Sequence, residues 1–371
     1  MKIVIDARTL GSKPSGIGIY AFNYIKELIK SKHHIILLTD VAQSEEMSFL
    51  ERENIEIIQY GTSTYRSAQV LKYFDFVREQ LVKIQPELFW EPNVLIPRKL
   101  SGYKGKVMIT VHDMFPVTHV QYFGWKYGIY FRMMLKKTIK NVDIILYDSK
   151  ETKKETERFY PSAKPKKNFI QYVIVPRMEK ETVQAEENSI KKEVRNKDYF
   201  LYVGNMEKRK GVDLLLDAYE EYRKRGGQKA LVLAGKSREA DIDKKIQQIT
   251  GKYDDVKYYG YVSETDKQAL YEMCTCFIFP SKAEGFGICV LEAMNYYKPV
   301  ITSDLSIFKE IAGDCAQCFS LEGDGKAQVD NLSSKMSEFR MDINKTAYDE
   351  VMERYIPKRL GKEIVDVLNN V

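Results

Sequence analysis

Two carboxylates, Glu284 and Glu292, flank a Gly285-Phe286-Gly287 turn in the stretch CFIFPSKAEGFGICVLEAMNYYKPVITSD, residues 276–304. A helix start offers unpaired N–H groups and a partial positive charge, and glycine lets an anion approach them closely. The N–H groups after the turn, from Ile288 onward, therefore suit a phosphate. A carboxylate accepts two hydrogen bonds side by side, which suits a pair of sugar hydroxyls. One Glu could hold a ribose and the other a second sugar, with phosphates between them. A second set lies earlier, as Gly204-Asn205 and then Arg209-Lys210-Gly211 before a helical pattern. Cations at a helix start oppose its dipole, so this pair asks for a counter-charge, and a diphosphate supplies one. Charge-assisted bonds to phosphate stabilise by roughly 1.5–3 kcal/mol each. A third feature is His112-Asp113, directly after an apolar run, where His brings a group that titrates near neutrality. Taken singly, each has a plain structural reading: a Glu at a helix start, a solvated lysine turn, a capping Asp beside a solvated His.

These residues need elements to hold them. Lys2–Ala7 reads as an apolar strand, followed by a loop, GSKPSGIG, and an amphipathic helix with Tyr20, Ile25 and Leu28 as apolar positions. Gly16-Ile17-Gly18 opens that helix, with Ala21 where the third glycine of a dinucleotide fingerprint would stand. The glycines come too late after the strand to make that fingerprint's tight turn. Strand-like runs recur at His34–Leu38, Ile55–Gln59, Leu88–Trp90, Lys106–Val111, Asp143–Tyr147 and Asn168–Val175, with helical patterns between most of them. A charged stretch, Glu179–Asp198, reads as a link. The alternation then restarts at Tyr199–Val203 and runs through Ala230–Ala234, Val256–Val262, Cys276–Pro280, Val300–Thr302 and Ala316–Phe319. This order implies mostly parallel sheets covered by helices, with ligands at the carboxyl ends of strands.

The chain has 371 residues, which suits two domains. Hydrophobic residues make up 44% and charged residues 30%, so a globular protein is expected. A net charge of +6, spread along the chain, fits phosphate ligands or an acidic membrane surface and argues against nucleic acid. MKIVIDARTL is not a signal peptide, because its apolar run is short and Asp6 interrupts it; a cytoplasmic location, extending to the inner face of the plasma membrane, is expected. All five cysteines follow residue 270, and free thiols are expected. Cys315 and Cys318 form a C-x-x-C, but the four histidines lie far back at 33, 34, 112 and 119, so no zinc site is expected. Asp241 and Asp243 fall on a charged helical face. The segment WKYGIYFRMMLKKTIK, residues 125–140, reads either as an ordinary helix with a basic outer face or as one that leans on a membrane or lipid acceptor.

In order along the chain, Gly16-Ile17-Gly18, His112-Asp113, Gly204…Arg209-Lys210-Gly211 and Glu284-x7-Glu292 resemble the retaining GT-B glycosyltransferases of family 4, many of which build bacterial cell-envelope polysaccharides. The resemblance spans nearly the whole chain. It implies an α/β fold of GT-B type, with two Rossmann-like domains facing across a cleft: residues 1–178 for the acceptor, 179–354 for the donor, and a C-terminal helix, 355–371, returning to the first domain. It implies a nucleotide-diphosphate sugar as donor and a saccharide or lipid-linked saccharide as acceptor. Arg209 and Lys210 would hold the diphosphate, Glu292 the ribose, and Glu284 with the N–H groups of Gly285, Phe286, Gly287 and Ile288 the donor sugar. His112 would lie near the reacting carbon, and the Gly16–Gly18 loop near the phosphates. Gly204 and Asn205 complete the donor set; many relatives have Arg at the position of Asn205, so here the charge rests on Arg209. The implied reaction retains anomeric configuration, with no metal, no cofactor and no dedicated nucleophile. Two alternatives use the same features: a GT-B sugar-nucleotide epimerase, and a non-catalytic glycosyltransferase-like partner protein.

Overall fold

The computed structural model describes residues 1–10, 16–41, 55–64, 67–97, 100–177, 189–195 and 197–370. The chain divides into two compact units: Met1–Ile174 with Tyr355–Val371, and Val175–Arg354. The division falls between Ile174 and Val175, whereas the sequence reading put it after residue 178.

The first unit holds a seven-stranded sheet. Its strands are β1 (Lys2–Asp6), β2 (His34–Thr39), β3 (Ile55–Gln59), β4 (Leu88–Glu91), β5 (Lys106–Val111), β6 (Ile144–Tyr147) and β7 (Lys167–Ile170). They run parallel in the order β3-β2-β1-β4-β5-β6-β7. The five inner strands are buried on both faces, as parallel strands covered by helices require, while the edge strands β3 and β7 are only partly buried. One face meets a core that includes Val4, Leu38, Tyr73, Phe89, Ile109 and Leu135.

The second unit holds six parallel strands: β8 (Tyr199–Val203), β9 (Ala230–Ala234), β10 (Val256–Tyr258), β11 (Cys276–Phe279), β12 (Val300–Ser303) and β13 (Ala316–Phe319). Their order is β10-β9-β8-β11-β12-β13. In each sheet the order reverses once, between β1 and β4 and between β8 and β11. A crevice opens outside the carboxyl ends of the strands at such a reversal.

Three expectations are corrected. The strand expected over 168–175 ends at Ile170, because residues 171–174 bond sideways instead. Tyr20 and Asn23 donate to the carbonyls of Gln171 and Ile174, and Gln171 donates to the carbonyl of Leu360. The strand expected over 256–262 stops at Tyr258, two residues before Gly260, whose φ of +64° turns the chain. The charged link contains a helix, Ser189–Val194, tied by Lys191 to Glu272 at 3.0 Å; the rest of it from 178 to 188 lies outside the described residues. The helix Pro357–Asn369 buries Leu360, Ile364 and Leu368 and packs on the helix Gly16–Leu28, where Gly361 sits against Glu27.

Candidate active site

The reversal in the second sheet gathers two loops. After β8 the chain passes Gly204 and Asn205, makes a short 3-10 turn over Lys208–Lys210, and starts the helix Val212–Lys224 from Gly211. After β11 it passes Pro280 to Glu284 and starts the helix Ile288–Asn295 from Gly287. The loops are knitted by backbone. The Lys282 N–H donates to the Arg209 carbonyl at 2.8 Å, and the Ser281 hydroxyl reaches the same carbonyl at 3.3 Å. Gly211 has φ +71°, and a Cβ there would stand 2.0 Å from the Pro280 carbonyl oxygen, so only glycine fits this crossing.

That crossing fixes the charged groups. Lys210 Nζ makes an ion pair with Glu284 Oε2 and stands 5.3 Å over the Phe279 ring. Arg209 Nη1 donates to the Ala283 carbonyl at 2.8 Å and lies 3.9 Å from Glu284 Oε2, while its Nη2 reaches Glu207 at 3.4 Å. Ser281 donates to Glu284 at 3.3 Å. Each of these three charged side chains keeps 11–15% of its surface exposed. Gly287, at φ +93°, caps the following helix without a side-chain bond, so the helix start keeps donors for an anion. Phe286 is buried beneath this turn, and Gly285 and Ile288 are half-buried. On the next turn Glu292 accepts from Lys267 Nζ at 2.8 Å and from Tyr271 OH at 2.9 Å. Burial pulls the Lys267 pKa down, but Glu292 and Glu264 outweigh it and the net direction is up. Burial pushes the neighbouring Cys289 thiol up to about 12, which leaves it unreactive. Gly204 follows β8, and the Asn205 carbonyl accepts from Tyr202 OH at 2.9 Å. Thus Arg209, Lys210 and Glu284 meet at one spot, and Glu292 stands on the helix that begins there.

In the first unit, His112 follows β5. Its Nε2 faces the Pro92 carbonyl at 2.8 Å, so that nitrogen carries a proton, and its Nδ1 faces Asp148 Oδ2 at 3.2 Å. The His112 carbonyl accepts from Thr152 Oγ1 at 3.1 Å, and the Tyr20 ring meets the imidazole edge-on. Burial lowers the His112 pKa, but Asp148 and the Pro92 carbonyl turn the net shift upward; burial pushes Asp148 up to about 7. His112 and Asp148 are thus each shifted toward the protonated form. Gly16 and Gly18 lie in the first turn of the helix Gly16–Leu28, Gly18 buried; the loop before them, 11–15, lies outside the described residues.

Sequence reasoning missed a buried set at the reversal of the first sheet. Asp6 ends β1 and Glu91 ends β4, and Arg8 lies between them, 3.4 Å from Asp6 and 3.5 Å from Glu91. Tyr73 OH donates to Asp6 at 2.9 Å, and the Arg8 guanidinium lies 4.8 Å over the Phe74 ring. Burial holds the Glu91 carboxyl well above the usual range, and Asp6 adds to that. Asp148 was missed as well. The available signal was the one that picked out His112: a polar residue directly after an apolar strand, present again at Glu91 and Asp148.

Two parallel sheets, each reversing its strand order once, with cations and a carboxylate at an uncapped helix start in the second, define an α/β protein of Rossmann-like units. The model of the Glycosyl transferases group 1 family matches residues 183–347, and that of Glycosyltransferase Family 4 matches residues 14–168. O-antigen chain mannosyltransferase B of Escherichia coli is 26% identical over 345 residues, covering 85% of both chains. The O-antigen biosynthesis glycosyltransferase WclY of Escherichia coli is 22% identical over 370 residues, covering 97% of this chain and 96% of its own. The structure of Anabaena HepE in complex with UDP and glucose superimposes with a TM-score of 0.76 at 15% identity over all of both chains. The chain belongs to the GT-B glycosyltransferases of family 4 type.

Proposed function

We propose that the chain transfers a hexosyl group, mannose being the first to test, from a nucleoside diphosphate sugar to a saccharide or lipid-linked saccharide in the synthesis of an envelope polysaccharide. The observation that carries this is the meeting of Arg209, Lys210 and Glu284 at the start of the helix Ile288–Asn295. The names of the relatives, O-antigen mannosyltransferases among them, support the class of product. In this reading Arg209 and Lys210 hold the diphosphate and stabilise it as it leaves, doing the work a metal does elsewhere. The N–H groups from Gly285 to Ile288 receive phosphate and sugar oxygens, Glu284 orients the donor sugar, and Glu292 holds the ribose. Gly204 and Asn205 form the floor after β8. The bond from the anomeric carbon to the leaving phosphate oxygen breaks, and the acceptor oxygen bonds to that carbon on the same face. The acceptor proton passes to the leaving diphosphate, so configuration is retained without a protein nucleophile. His112 belongs to the acceptor side, with Asp148 setting its protonation, and its ring must release the Pro92 carbonyl before it can bond a substrate.

A thermal-shift series with UDP-, GDP-, ADP- and dTDP-sugars tests the reading. One nucleotide should raise the melting temperature by mass action, and Lys210→Ala should remove the shift. Absence of a shift with every nucleotide would sink it.

A further inference from the structure

Glu292 does not stand alone on the helix Ile288–Asn295. Both of its carboxylate oxygens are engaged from a neighbouring helix, Glu264–Met273. Lys267 Nζ donates to Oε1 at 2.8 Å, and Tyr271 OH donates to Oε2 at 2.9 Å. Lys267 and Tyr271 are four residues apart and so share one helix face. The Ser263 hydroxyl caps that helix by accepting from the Asp266 N–H at 3.1 Å. Tyr271 is buried, its ring stacked on Tyr296 at 5.7 Å and against Phe277 at 5.4 Å, so its hydroxyl has a fixed place. Lys267 and Glu292 keep 20% and 21% of their side-chain surface exposed, too little for a loose surface pair and enough for a ligand to reach. Glu264 also meets Lys267, at 3.1 Å, but it is 70% exposed and holds the lysine weakly.

We infer that Lys267 and Tyr271 are positioning residues for the donor's ribose, acting through Glu292. This rests on the proposed reading in which Glu292 holds that ribose. A carboxylate that accepts from two neighbouring hydroxyls must offer one lone pair on each oxygen, in a fixed plane. Each carboxylate oxygen has two, and Lys267 and Tyr271 occupy one on each, so the remaining pair points the same way. Lys267 also offsets the charge of Glu292, as Lys210 offsets that of Glu284, so two carboxylates can share a site with an anion. A contact that only joined the two helices would need no charge, since an apolar pair of similar volume serves as well or better.

Calorimetry on the full chain measures binding of UDP, GDP and ADP and of their 2′,3′-dideoxy counterparts. The nucleotide that binds should be preferred over its dideoxy form by about 30-fold or more, the worth of two charge-assisted hydrogen bonds. Lys267→Met keeps the length of the stem and drops the charge; it should shrink that preference to about threefold. Lys267→Arg should restore most of it. Tyr271→Phe should shrink it to about tenfold, since one neutral donor is lost. Circular dichroism must show the variants folded. A merely structural pair would weaken both forms by the same factor and leave the preference where it was, and that result would overturn the assignment. So would a wild-type chain that binds a nucleotide and its dideoxy form equally, with the transferase reading left standing. A wild-type chain that binds none of the three nucleotides would sink the transferase reading and this assignment together.

Discussion

The two sheets reverse their strand order at equivalent places and fill them differently. Where β1 meets β4, Asp6, Arg8 and Glu91 are sealed, with side-chain exposures of 0%, 8% and 0%. Where β8 meets β11, Arg209, Lys210 and Glu284 remain partly exposed. Charges taken fully out of water must satisfy one another, and removing one partner strands the rest. Charges that stay partly wet hold their partners weakly and can exchange them for a ligand. One reversal is a plug, and on the proposed reading the other receives a charged ligand.

The sharpest way to break this contrast is Arg8→Ala. It removes the cation that the buried Asp6 pairs with beside the Glu91 carboxyl and should cost about 3–5 kcal/mol in urea unfolding. A loss below about 1 kcal/mol, the range of a surface pair, would mean that the first reversal is not a plug. Lys210→Ala should do the opposite: transfer falls roughly 100- to 1000-fold while the urea midpoint barely moves. Equal losses of stability and activity would erase the distinction.

Gly211→Ala probes the crossing that holds the second reversal together. With φ at +71° and the Pro280 oxygen in the way, the variant should lose about 1–3 kcal/mol and also lose transfer, because Arg209 and Lys210 shift together. Intact transfer would uncouple the crossing from the site.

The smallest effect concerns pH. An unfolded His titrates near 6.5 and an unfolded Asp near 3.9. The folded His112–Asp148 pair keeps its proton longer, since both members are shifted upward. The stabilisation from Asp148 fades as pH rises from about 3.9 through about 7, and that from His112 fades above about pH 6.5. Asp148→Asn leaves burial to keep His112 neutral and should flatten that slope; an unchanged slope would place the titration elsewhere.

The strands were legible because parallel strands buried on both faces are continuous apolar runs, as in IVI at 3–5 and LVL at 231–233. The loops after β8 and β11 were legible because Arg209, Lys210, Glu284 and Glu292 each lie within a few residues of a glycine turn. What stayed hidden depends on distant chain. Asp6 and Glu91 meet only because β1 pairs with β4, and no local pattern announces a pairing across eighty residues of sequence. The apolar run after Ile170 reads as strand, and only the helices Gly16–Leu28 and Pro357–Asn369 draw it out of the sheet.

The helix Pro357–Asn369 also sets an order of events in the cell. The first unit needs residues that leave the ribosome after the whole second unit. Until they emerge, the apolar face of the helix Gly16–Leu28 and the side chain of Gln171 lack their cover. The second unit is continuous in sequence, whereas the first is completed only by Tyr355–Val371. A nascent chain stalled before Tyr355 would therefore carry every residue of the second unit and a first unit still incomplete.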